Sequence, residues 1–138
     1  MKKIIFPGIV AGLATAIASM LLGLLTMRIP AVSADYANAA TIRPWNDPLM
    51  SLYFLYPFVL GLIMAWAWNK SKSLFSGSTA ARGTKFGLAI FLVTSIPGML
   101  ITYACFPLSI MTIFAWTLDG LVVCLVTGLI VARMNRGV

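Results

Sequence analysis

The chain has 138 residues, 61% of them apolar and only 9% charged, with 10 Lys or Arg against 3 acids. A water-facing domain carries roughly a quarter charged residues, so a mean hydropathy of +0.99 excludes a soluble globular protein and points to an integral membrane protein. Histidine and glutamate are absent. Their absence excludes bis-histidine haem ligation, histidine-bound zinc or copper, di-iron carboxylate clusters and Ser-His-Asp or Cys-His catalysis. The expectation is a non-enzymatic chain with no catalytic residue, no metal and no cofactor.

Four apolar stretches, residues 4–27, 49–68, 86–104 and 108–132, reach the roughly 20 residues that a helix needs to cross hydrocarbon. Only the last holds a charge, Asp119. The expected fold is therefore an all-α integral membrane protein, a single four-helix transmembrane domain over residues 1–138. Lys2 and Lys3 before an apolar run, with Val32-Ser33-Ala34 beyond it, resemble a signal peptide. The run 4–27 exceeds the roughly 7 to 15 apolar residues of such a signal, so it reads as a span.

Residues 28–48 form the external loop. Asp47 before Pro48 reads as a helix N-cap followed by proline at the first helical position. Asp35, Arg43, Trp45, Asn46 and Asp47 form a candidate external binding loop, because Arg and Trp beside two prolines make a rigid, hydrogen-bonding surface of the type enriched at interfaces. The alternative is that Trp45 only anchors the loop in headgroups while Arg43 pairs with Asp47 or Asp35.

The second span is rich in bulky aromatics and presents more surface to lipid or to a partner. Trp66 and Trp68 read as an inner interfacial belt, and Trp45, Tyr53 and Tyr103 as an outer one. Residues 69–85 read as a basic cytoplasmic loop whose Lys70, Lys72, Arg82 and Lys85 rest on anionic headgroups, each charge contributing about 1 kcal/mol near the surface. Beyond it, residues 86–132 are almost continuously apolar, and Cys105-Phe106-Pro107 is where the chain turns. Cys105 and Cys124 read as packing residues rather than a disulfide.

Sidedness follows from the basic residues. Lys2, Lys3, Lys70, Lys72, Arg82, Lys85, Arg133 and Arg136 fall on one side, against Arg28 and Arg43 on the other. Positive residues mark the cytoplasm, so both termini are expected inside, in a bacterial or archaeal inner membrane. This clustering at span ends also removes the nucleic-acid reading that a net charge of +7 would otherwise invite.

An internal repeat sets the expected architecture. Gly61-Leu62-Ile63-Met64-Ala65 near the end of the second span matches Gly128-Leu129-Ile130-Val131-Ala132 in the fourth, and Gly12-Leu13-Ala14 matches Gly87-Leu88-Ala89. The expectation is two tandem helical hairpins, with coincidence of apolar composition as the competing reading. Small residues at Ala11, Thr15, Ser19 and Gly23, and at Gly120, Cys124 and Gly128, make spans one and four the close-packed helices.

Asp119 stands about 16 Å into the fourth span, near the bilayer midplane, where no span offers a basic partner. It is expected to be a neutral carboxylic acid that donates one hydrogen bond. Hairpin depth places Thr94 and Ser95 level with it, and Pro97 one turn beyond leaves the Val93 carbonyl without its amide donor. Asp119, Thr94, Ser95 and Pro97 are the candidate intramembrane polar site, either a helix contact or a solute or ion site. The leading functional expectation is an accessory or assembly subunit, as a homo-oligomer or with a membrane-complex partner. The alternative is a small proton- or ion-coupled transporter or channel-like protein using Asp119.

Overall fold

The structure, a computed structural model, describes residues 2–135; Arg136 and the side chain of Lys2, both counted in the charge argument, lie outside the described residues. Among the described residues all regular structure is helical. Helix α1 spans Lys2–Thr26, α2 Pro30–Ala37, α3 Ser51–Ser71, α4 Thr79–Cys105 and α5 Ile110–Met134, with single 3₁₀ turns at Pro48–Met50 and Lys72–Leu74. Helices α1, α3, α4 and α5, with α3 extended by its flanking turns, are long and apolar enough to cross a membrane.

The helix starts follow local chemistry. Ser78 accepts a hydrogen bond from the Ala81 amide, Ser109 from Thr112, and Asp47 from Leu49, each satisfying an N–H that the first helical turn leaves free. The Ser78 cap explains one departure from expectation: α4 begins at Thr79, so the second half of the anticipated basic loop is helix. The segment expected as an external loop also holds a helix the hydropathy pattern did not announce. Helix α2 has proline in its first turn, a position where the missing N–H costs nothing.

Helix α1 packs on α3, and α4 on α5, while α1 and α5 join the two pairs. Glycine makes each pairing possible. A Cβ at Gly8 would lie 2.8 Å from the Leu62 Cα and one at Gly12 2.8 Å from the Phe58 Cα, an antiparallel register. A Cβ at Gly61 would run into the Gly8 carbonyl oxygen. The second pair repeats the pattern: a Cβ at Gly83 would lie 2.7 Å from the Gly128 carbonyl oxygen, one at Gly87 would strike the Cys124 carbonyl, and one at Gly128 the Gly83 carbonyl. The glycines of the matched words therefore make equivalent contacts in both pairs. Pro7 and Pro57 are buried beside these contacts; bundle neighbours let membrane helices tolerate such prolines.

The largest buried cluster sits at this same end, built from Ala11, Met64, Ala65, Trp68, Phe86 and Val131 with Ala132. Trp68 is 1% exposed, which corrects its assignment to an interfacial belt. Its ring meets Phe86 at 5.3 Å and Phe75 at 6.3 Å, and the Arg82 guanidinium lies 5.5 Å above it. Arg82 also donates to the Lys72 carbonyl at 2.8 Å, and the Lys85 ammonium donates to Ser76. These two charges close the α3–α4 linker; in α3, Trp66 remains exposed.

The opposite end is open. A Cβ at Gly23 or Gly98 meets nothing within 4 Å. Within each pair the helices are held backbone to backbone at these glycines, and toward the other end a cavity opens between the two pairs. Gly61→Ala and Gly128→Ala are each expected to destabilise the bundle by about 1–3 kcal/mol through overpacking, seen as a lowered Tm in detergent, whereas Gly23→Ala and Gly98→Ala leave Tm unchanged or slightly raised.

Candidate functional site

Between the two pairs the helices enclose a cavity of about 370 Å³. Asp119 lies on α5 about 14 Å beyond the helix start at 1.5 Å per residue, and it lines this cavity. A second cavity of about 60 Å³ reaches Asp119 from between α1 and α3, where Met20 and Phe54 are exposed. The Asp119 Oδ1 atom is buried without a hydrogen-bond partner. An unpaired polar atom buried in this way is costly.

The polar candidates divide by helix face. Ser95 lines the cavity with Asp119, and its Oγ lies 2.8 Å from where a Gly120 Cβ would stand. Thr94, one residue and 100° away, is exposed on the outer face and donates to the Ile90 carbonyl at 2.8 Å. Pro97 is also exposed, and α4 runs through it without a break. Thr94 and Pro97 therefore do not join Asp119. In their place stands Ser19 of α1, which lines both cavities with Asp119.

The walls are aromatic. Tyr36 of α2, Trp45 of the loop, Tyr53 and Tyr56 of α3, and Trp116 of α5 all line the larger cavity. Tyr36 and Trp45 are stacked at 6.5 Å with planes 6° apart; Trp116 stands edge-on to Tyr36 at 6.3 Å, and Tyr53 edge-on to Trp45 at 5.6 Å. The Trp116 Nε1–H donates to the Tyr36 hydroxyl at 2.9 Å, which ties the cap to α5. Burial raises the Tyr36 phenol above its ordinary pKa, the Trp116 bond opposes that shift, and the nearby Asp119 adds to it.

The segment between α1 and α3 is thus a cap over the cavity. Asp35 fixes it: its Oδ2 accepts from the Ser109 amide at 2.9 Å, the Ser109 hydroxyl at 2.7 Å and the Thr112 hydroxyl at 2.6 Å. A carboxylate at a helix N-terminus also meets the favourable end of the helix dipole. Arg43 pairs with Asp47 at 2.8 Å, and Asp47 caps the turn at Pro48–Met50. Asn46 is exposed. The five candidates of the loop separate accordingly: Asp35, Arg43 and Asp47 make intramolecular bonds, Trp45 closes the cavity, and Asn46 stands free of it.

Sequence reading did not connect Trp116, Tyr53, Tyr56 and Ser19 with Asp119. The signal was spacing. Trp116 and Asp119 are three apart, as are Tyr53 and Tyr56, and Ser19, Leu22, Gly23 and Thr26 follow the i, i+3, i+4, i+7 pattern of one helix face. Arg and Lys are missing from the lining. Among the described residues no three metal-binding side chains converge. No protein-family model, curated protein or solved structure matches the chain.

The Asp35 clamp carries a pH dependence. The hydroxyls of Thr112 and Ser109 and the Ser109 amide hold its pKa below the ordinary 3.8, against a small opposing effect of burial. Its stabilisation is full above the ordinary value and is lost as pH falls through the depressed one. Acidification of the protein in detergent below pH 3.8 is therefore expected to change the fluorescence of Trp45 and Trp116 as the cap releases. Asp35→Ala is expected to show the released spectrum already at pH 7.

Proposed function

We propose that the chain is a small proton-coupled solute carrier, built as two tandem helical hairpins with both termini in the cytoplasm, and that Asp119 is its proton-binding group. The reading rests on one observation: a cavity beneath the α2 cap extends to a carboxyl deep in the fourth long helix. Intramembrane acids of this kind commonly serve proton relays, and transporters hold solutes near the midplane. The groups that face Asp119 across the cavity are the phenols of Tyr36, Tyr53 and Tyr56 and the hydroxyls of Ser19 and Ser95. No cation is there to hold the carboxylate ionised, so its charge responds to what enters.

The hairpin topology is supported by the equivalent glycine contacts of the two helix pairs. The inward orientation is supported by the gathering of Lys3, Lys70, Lys72, Arg82, Lys85 and Arg133 at the linker end. Proteoliposomes loaded with a pH-sensitive dye test the proton coupling. With a mixture of small organic solutes supplied on one side, an imposed pH gradient is expected to dissipate faster with the protein than in empty vesicles, and Asp119→Asn should return the rate to that of empty vesicles. Equal rates for protein and empty vesicles would overturn the reading.

A second reading, an assembly role, is favoured by the exposed outer face of α3, where Leu52, Phe54, Leu55, Val59 and Ile63 are open. Stoichiometric co-purification of a membrane partner, lost in Trp45→Ala, would support it.

A further inference from the structure

The lining of the larger cavity combines three features that select a ligand charge and type. Its one carboxyl is that of Asp119, and it contains no Lys or Arg. Five aromatic residues, Tyr36, Trp45, Tyr53, Tyr56 and Trp116, line the cavity with that carboxyl, and four of them form a connected cluster of stacked and edge-on rings. The faces of such rings carry negative electrostatic potential and attract cations, an arrangement used to recognise quaternary ammonium groups. The volume of about 370 Å³ falls in the range of roughly 300–1,000 Å³ typical of small-molecule sites.

We propose that the cavity beneath the α2 cap binds a monovalent organic cation, a substituted ammonium with an apolar body, between the aromatic cluster and the Asp119 carboxylate. The proposal rests on the reading of this cavity as a solute site and names the class of solute. An anion would meet a carboxylate and no counter-charge. A hard metal ion takes six to eight oxygen ligands, and this lining offers one carboxyl among rings. A purely apolar ligand would leave the Asp119 Oδ1 without a partner. A substituted ammonium satisfies both halves of the lining, because its charge meets the carboxylate while its alkyl or aryl groups cover the rings. Ser19, Ser95 and Thr26 add hydroxyl oxygens that accept from an N–H of the ligand where it has one.

The test uses the full chain in lipid nanodiscs with benzyltrimethylammonium as probe, read through the fluorescence of Trp45 and Trp116. The expected result is saturable quenching that is lost in Trp45→Phe combined with Trp116→Phe. Asp119→Asn, close to isosteric, is expected to weaken binding at least tenfold, and Asp119→Glu to retain most of it. Trp45→Leu, at the exposed mouth where folding is little affected, is expected to weaken it several-fold. The uncharged isostere neopentylbenzene and the anion benzenesulfonate are expected to bind at least tenfold more weakly. Equal binding of the uncharged isostere, unchanged affinity in Asp119→Asn, or tighter binding of the anion would each overturn the proposal. Absence of probe binding in a protein that still dissipates a pH gradient would overturn the organic-cation assignment alone. Probe binding without proton flux would instead sink the carrier reading and leave the ligand class standing.

Discussion

Direct contact between helix backbones at six glycines organises this molecule. For helices long and apolar enough to cross a membrane, lipid would remove most of the hydrophobic drive to associate, and close approach with the dispersion contacts it permits supplies the attraction. Gly8, Gly12 and Gly61 provide this for α1 and α3, and Gly83, Gly87 and Gly128 for α4 and α5. The six lie toward the linker end, together with the buried cluster around Trp68 and Phe86. Toward the other end Tyr53, Tyr56 and Trp116 line a space between the two pairs. The cavity is the geometric complement of the clamp. It exists because the bundle is closed at one end only.

That arrangement divides the stripe of small residues on α1 into two uses. Ala11 and Thr15 are fully buried, and the Thr15 hydroxyl turns back to the carbonyls of Ala11 and Gly12. One and two turns further on, Ser19 and Gly23 face the cavity. The same chemical character thus serves packing at one depth and open space at another, and the change is made by the partner helix rather than by α1. On α5 the small residues stay packed along the helix, Gly128 on the Gly83 backbone and Gly120 on the Ser95 side chain.

Much of the helical framework was legible in the residues. Hydropathy located four long helices, the turn at Cys105-Phe106-Pro107 falls where α4 ends and α5 begins, and the repeated glycine words mark positions that make equivalent contacts. What escaped was facing. Depth along a helix can be counted from a turn, so Ser95 came out level with Asp119, but rotation about the axis cannot, and Thr94 and Pro97 stand on the outer face. Trp68 was misjudged for a related reason. A tryptophan near a span end belongs to an interfacial belt only if its face meets lipid, and here Phe75, Phe86 and Arg82 surround it. Helix α2 was unreadable from periodicity because an eight-residue helix offers about two turns of pattern, and its role depends on contacts with Ser109, Thr112 and Trp116, more than 70 residues away.

The anchoring of Asp35 has a mechanical consequence. Helix α5 carries the hydrogen bonds that pin the cap at its first turn, the carboxyl at the cavity floor near its middle, and the glycine contact with α4 near its end. Lid, floor and hinge are therefore mounted on one rod. Any tilt of α5 about the Gly83–Gly128 contact would therefore displace floor and cap together, the cap by more because it lies further from that contact. The position of the cap and the position of Asp119 are set by one helix axis rather than independently.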